Sequence, residues 1–293
     1  MIQINTFSIV GYDAKEQAWG VAVASKFLAA GAVVSWARAG AGAVATQANA
    51  KVGFGPDGLA MMAQGMSAEE TLAKLLADDE NAAHRQVGLV DTRGNAAAHT
   101  GQSCFTWAGH RIGKGYTCQG NILTGAETLD AMAEAFELAE GELADRLVAA
   151  LLAGDTIGGY RRGKQSAGVV VVRPEGGYGG DNDRYLDLRV DDDPDPVNRL
   201  MGMLELHHLY FGSSDPDSML PLNDSIIREL QTVLKKLELY GGDVNGEWDQ
   251  VSREAFRAFS GTENLEERAD ITCEGEIIDP VVLKYIRDHF GDG

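Results

Sequence analysis

The stretch from Thr6 to Gln47 constrains the fold of this chain more than any other. It holds four short apolar runs, 6–10, 19–25, 31–38 and 40–47, rich in Val and Ala and divided by glycines. Runs of that length and composition read as strands rather than helices. Their lack of polar alternation marks sheets covered on both faces. Groups able to carry chemistry gather at the edges of these runs: Thr6, Ser8, Ser25, Lys26, Ser35, Arg38, Thr46 and, beside it, Gln47.

The rest of the first 190 residues continues the pattern. Gly55-Pro56-Asp57-Gly58 reads as a turn leading into a helix, and Ser67 with Glu70 has the spacing of a capping box that opens a second helix. Gln86–Asp91 and Asn95–Thr100 read as a hairpin, and two further strands are expected within 101–122. Thr128–Ala139 and Glu142–Leu152 carry helical periodicity, the second stopped by Gly154. Gln165–Arg173 and Tyr185–Val190 close the series as strands. Helices come in pairs between groups of strands, which excludes a doubly wound arrangement. Two sheets stacked face to face with a helix pair outside each would bury this order. The expected fold is therefore α+β, a four-layer αββα sandwich over residues 1–192. Residues 193–221 form a helix (197–211) and a linker, and 222–293 a small three-helix domain with helices over 225–239, 251–259 and 280–290.

Charge narrows the partners. Residues 1–180 hold 14 basic and 18 acidic side chains, and residues 181–293 hold 11 and 26, so net charges of −4 and −15 make up the total of −19. Such a chain would be repelled by phosphate, which argues against nucleic acid and anionic membrane. No apolar run reaches the length of about 20 residues needed to span a bilayer. The N-terminus has no basic region followed by an apolar core, so no signal peptide is expected. Cys104, Cys118 and Cys273 form no CxxC pair, which points to a reducing, cytoplasmic setting without a zinc cluster. No cofactor or metal is expected. His207 and His208 are adjacent on a helix and face different sides, and only a pairing of His99 with His110 leaves a metal hydrolase as a rival.

The first 190 residues resemble an uncharacterised, mainly bacterial family assigned to the N-terminal-nucleophile (Ntn) hydrolase superfamily. The resemblance rests on Thr6-Phe-Ser-Ile-Val, Gly20-Val-Ala-Val-Ala-Ser-Lys-Phe, Trp36-Ala-Arg-Ala-Gly, Ala45-Thr-Gln, Trp107-Ala-Gly-His, Gln119-Gly-Asn and Arg161-Arg-Gly-Lys-Gln-Ser-Ala. It implies the αββα sandwich of proteasome β-type subunits and an amide-bond hydrolase whose first residue is the nucleophile. A free α-amine serves as its base, because that amine titrates near neutral pH. Thr6 opens the first strand and takes the nucleophile's place. Arg38, 32 residues on, stands near the interval of the pKa-lowering cation, with Lys26 as its competitor, and Ser166 as a supporting hydroxyl.

The tail resembles a peptidoglycan-binding-type three-helix domain through Leu230-Gln231, Leu234, Leu237, Tyr240-Gly-Gly, Val244-Asn-Gly246, Trp248 and Ala255–Phe259. Candidate substrate contacts are Ser35, Thr46, Gln47, His99, Gln119, Asn121 and Arg162. Gln119 and Asn121 could donate amide N–H groups to an oxyanion. The Arg161–Lys164 patch either binds a substrate carboxylate or solvates a loop. The expected substrate is a small peptide or cell-wall fragment, with residues 222–293 engaging peptidoglycan and the Met-containing helix 197–211 serving a homodimer. The alternative is a non-catalytic binding or assembly module in which the five residues ahead of Thr6 stay in place.

Overall fold

A computed structural model describes residues 6–159, 161–212 and 214–291. The chain divides into two compact units, Met1–Leu204 and Glu205–Gly293.

In chain order the first unit contains β1 (Thr6–Asp13), β2 (Ala18–Ser25), α1 (Ala30–Val34), β3 (Ser35–Arg38) and β4 (Gly42–Ala48). It continues with α2 (Phe54–Ala63), α3 (Ala68–Ala77), β5 (Arg85–Asp91), β6 (Ala96–Thr100), β7 (Gly109–Gly113) and β8 (Tyr116–Asn121). After these come α4 (Glu127–Leu138), α5 (Leu143–Thr156), β9 (Ser166–Val172), β10 (Arg184–Val190) and α6 (Pro196–Phe211), within which the division falls. One sheet has the order β10-β9-β2-β1-β8-β7 and the other β3-β4-β5-β6, every neighbouring pair antiparallel.

Side-chain alternation assigns the faces. Phe7 and Ile9 of β1, Ala22 and Ala24 of β2, and Val169 and Val171 of β9 pack with Leu129, Met132, Phe136 and Leu147 of α4 and α5. On the second sheet Val44, Val87 and Leu89 pack with Leu59, Met62, Leu72 and Leu75 of α2 and α3. Val10, Val21 and Val23 meet Ala43, Ala45 and Val90 in a cluster common to both sheets. Each fully buried Leu, Val or Phe contributes about 2 kcal/mol of transfer free energy, so these contacts outweigh any single polar term. Trp19 Nε1 donates to the Asp91 carbonyl at 2.9 Å and ties one sheet to the other. The Ser67–Glu70 capping box is present, and Asp91 adds a second acceptor for the start of α3 through Ala68 N.

Three local expectations change. The run 31–38 is divided: 30–34 is α1, entered through a left-handed Ala29 (φ 52°), and only 35–38 is strand. Gly55–Gly58 is the first turn of α2 rather than a turn before it. A Cβ on Gly55 would strike the Trp36 ring, so glycine here lets the helix approach β3. Gly154 lies inside α5 and packs closely on Met132 and Phe7.

The second unit is a helical region with a short β-pair. It holds β11 (Leu220–Pro221), α7 (Asp224–Lys236), α8 (Gln250–Glu263), α9 (Glu266–Glu274), β12 (Ile277–Ile278) and α10 (Pro280–Phe290). Asn223, Asp249 and Asp279 cap α7, α8 and α10. The helix α9 is additional to the three expected. Trp248 is part-buried, edge-on to Phe256, and donates to the Thr272 carbonyl at 3.2 Å. Gln231, fully buried, receives Asn245 N and Gly246 N and donates to the Glu247 carbonyl, all at 3.0 Å, which fastens the loop between α7 and α8. Arg268 and Asp279 form a buried ion pair at 2.6 Å. Burial alone would raise the Asp279 carboxyl, but bonds from Ser214, Val281 N–H and Arg268 outweigh it and hold the group below the ordinary carboxylate value.

Candidate functional site

The register brings four polar residues into one row across the first sheet. Thr6 pairs with Asn121 on one side and Ser25 on the other, and Ser25 pairs with Ser166. All four face the second sheet. The Thr6 and Ser25 hydroxyls bond at 2.9 Å, and both residues are buried. Ser166 turns to the chain beyond β2: its Oγ donates to the Phe27 carbonyl at 2.5 Å and accepts from Ala30 N at 3.1 Å. It therefore caps α1 from a neighbouring strand and fixes Phe27.

Above Thr6 lies a pocket of about 300 Å³. Thr6, Ser25, Gln47, Asn49 and Asn121 supply its polar groups, while Phe27, Val33, Val34, Val52 and Phe105 line the rest together with Ala30, Ala48 and Ala50.

Beside the pocket runs a chain of carboxamides whose orientations follow from one another. Gln86 Nε2 faces the Gly120 and Gly109 carbonyls at 2.8 and 3.0 Å, and a carbonyl can only accept. Gln86 Oε1 must then accept, and it receives Gln47 Nε2 at 2.8 Å and Asn121 Nδ2 at 2.9 Å. Gln47 Oε1 in turn accepts from Ser8 Oγ at 2.7 Å, and Ser8 Oγ accepts from Gln119 Nε2 at 2.7 Å. Gln119 Oε1 ends the series, buried without a hydrogen-bond partner among the described residues. Gly88 makes room for it, since a Cβ there would collide with both Gln119 and Thr117.

The structure brings together Thr6, Gln47 and Asn121 at the pocket, with Gln119 and Ser166 one contact behind. It separates the others. Arg38 is exposed and pairs with Gly42, at the opposite end of β4 from Gln47, roughly 15–20 Å of strand away. There it borders a different depression of about 390 Å³ with Val172, Asn182 and Arg184. The sequence interval that suggested a cation beside Thr6 thus leads away from it, because the register of β3 on β4 sets Arg38 against Gly42. Lys26 is exposed, its ammonium donating to the Lys164 carbonyl at 3.0 Å. Thr46 alternates with Gln47 onto the α2 face and donates to the Lys51 carbonyl at 3.3 Å. Ser35 lies on the inner face opposite Ala45, its hydroxyl buried without a partner among the described residues. Arg162 is exposed in the loop before β9. The N–H groups expected at an oxyanion are largely committed, Gln119 to Ser8 and one of Asn121's to Gln86.

His99 and His110 do not converge. Alternation sends His99 outward to the Ala82 carbonyl at 2.9 Å, while His110 points inward and bonds Thr100 Oγ1 at 2.9 Å. Burial, with His99 and Arg111 nearby, holds the His110 imidazole below its ordinary pKa. Among the described residues no group of three His, Cys, Asp or Glu side chains could hold a metal. The segment 1–5, on which a free Thr6 amine depends, lies outside the described residues.

Sequence reasoning passed over Gln86 and the apolar walls. A signal for Gln86 exists in hindsight: Gln47, Gln86 and Gln119 are long polar side chains inside strands otherwise filled with Val, Ala and Gly.

Residues 6–200 match the model of a family of unknown function, DUF1028, and residues 210–286 match that described as "Putative peptidoglycan binding domain". The crystal structure of protein SPO2555 from Silicibacter pomeroyi, itself described with DUF1028, is similar at 30% identity with a TM-score of 0.64. The match covers 71% of this chain and 88% of that one. No curated protein matches.

Proposed function

The chain belongs to the DUF1028 family over residues 6–200, and from that premise we propose that its first unit is an αββα sandwich of the Ntn type hydrolysing an amide bond at Thr6. The observation that carries this reading is the position of Thr6: first residue of β1, hydroxyl at the base of a pocket, and in cross-strand register with Ser25 and Asn121. Cleavage of the Asn5–Thr6 bond would free the α-amine. That amine takes the Oγ1 proton, Oγ1 attacks the substrate carbonyl, and the proton passes to the leaving amine; water then releases the acyl group. Ser25 orients the nucleophile, and Asn121, with one N–H given to Gln86, turns its other toward the developing oxyanion. Arg38 and Lys26 have no part in this version. The second unit would engage peptidoglycan fragments, in keeping with its family match.

A second reading, a binding module without catalysis, draws support from one specific observation: no cation is among the described residues lining the pocket. Intact-mass measurement with N-terminal sequencing separates the two. The hydrolase reading expects a chain beginning at Thr6, labelled there by a hydroxyl-directed electrophile, and a Thr6→Ala variant that keeps residues 1–5. A wild-type chain that retains them and takes no label would leave only the binding module.

A further inference from the structure

The pocket above Thr6 stands out in a chain of net charge −19: none of the described residues lining it carries a formal charge. Its polar groups are the neutral hydroxyls of Thr6 and Ser25, the exposed Asn49, and the buried carboxamides of Gln47 and Asn121. Gln86 fixes both amides before any ligand arrives, so little orientation has to be lost on binding. Phe27, Val33, Val52 and Phe105 form the apolar side, with Val52 and Phe105 45% and 39% exposed. The nearby cations are engaged elsewhere. The Lys51 ammonium lies 4.9 Å from the Phe54 ring centre and 3.8 Å from Asp79, and that of Lys26 bonds the Lys164 carbonyl.

A carboxylate or ammonium entering this space would shed water without meeting a countercharge, which is unfavourable. A neutral amide meets donors and acceptors at the base, and an aliphatic or aromatic group gains by leaving water. We propose that the pocket selects the uncharged, apolar acyl side of an amide, such as that of an N-acylated leucine or phenylalanine amide, and rejects acyl groups bearing a carboxylate or ammonium. The inference rests on the hydrolase reading only for the fate of the amide bond, not for binding. Its consequence for a cell-wall substrate is that charged parts of the fragment stay outside the pocket.

Calorimetric titration of the wild-type full chain, with each probe checked afterwards by chromatography to be intact, tests this with four probes: the N-acetyl amides of leucine, phenylalanine, glutamate and lysine. The neutral pair should bind at least about tenfold more tightly than the charged pair. Val52→Lys, a change at an exposed position, should invert the ranking in favour of the glutamate probe. Equal binding of charged and neutral probes, a ranking unmoved by Val52→Lys, or no binding of any probe overturns the proposal. The hydrolase reading fails separately: wild-type protein that cleaves no leucine anilide while the ranking holds is a neutral-ligand site without hydrolysis.

Discussion

Gln86 is the residue on which the interior of the site turns, because its Nε2 is fixed by strand carbonyls and its Oε1 collects the amides of both Gln47 and Asn121. Gln86→Leu removes one side chain and strands two buried amide donors with two carbonyls. We expect a loss of about 3 kcal/mol of stability in urea denaturation; a change under about 0.5 kcal/mol would show that the chain of amides is not a unit. His110 offers a pH test. Its folded pKa lies below the unfolded value, so the unfolded chain binds more protons and stability rises with pH. That contribution is present above about pH 6.5 and fades as pH falls through the folded pKa. Between pH 7.5 and 5.5 wild-type protein should therefore lose more Tm than His110→Gln, and parallel slopes would contradict the assignment. At this scale Thr6, Gln47 and Asn121 were legible as strand-edge polar groups. Gln86 was not, because single-residue chemistry does not announce which glutamine will lie against two carbonyls.

Among the elements, strands read well where glycine and β-branched residues punctuated them, as in β1, β2, β5 and β9. The misreadings share a cause in tertiary contacts. The Val-containing α1 looks extended in sequence, yet Ser166 caps its first N–H from β9. Gly55 and Gly58 resemble turn residues, but close packing on Trp36 and Val44 is what they permit. In α9 the buried positions are Arg268, Ala269, Thr272 and Cys273, which form no conspicuous apolar stripe.

At the scale of the whole molecule, the helical unit depends on one buried charge pair. Arg268 donates to Asp279 and to the His208 carbonyl, holding α9 to α10 and to the end of α6. Arg268→Met leaves the Asp279 carboxylate buried without its partner and should cost about 3–5 kcal/mol. Faster hydrogen exchange across α7, α8 and α10 would register it, and unchanged protection there would count against it. In the other unit the amide chain has a mechanical meaning. Each carboxamide is oriented by a carbonyl or by a neighbour so oriented, so turning one end for end would set oxygen against oxygen at successive joints. Like the wards of a key, these groups let the two sheets engage in a single alignment and resist sliding past each other. Any give at the mouth of the pocket then falls to side chains outside that lock, such as Val52 and Phe105, which border it 45% and 39% exposed.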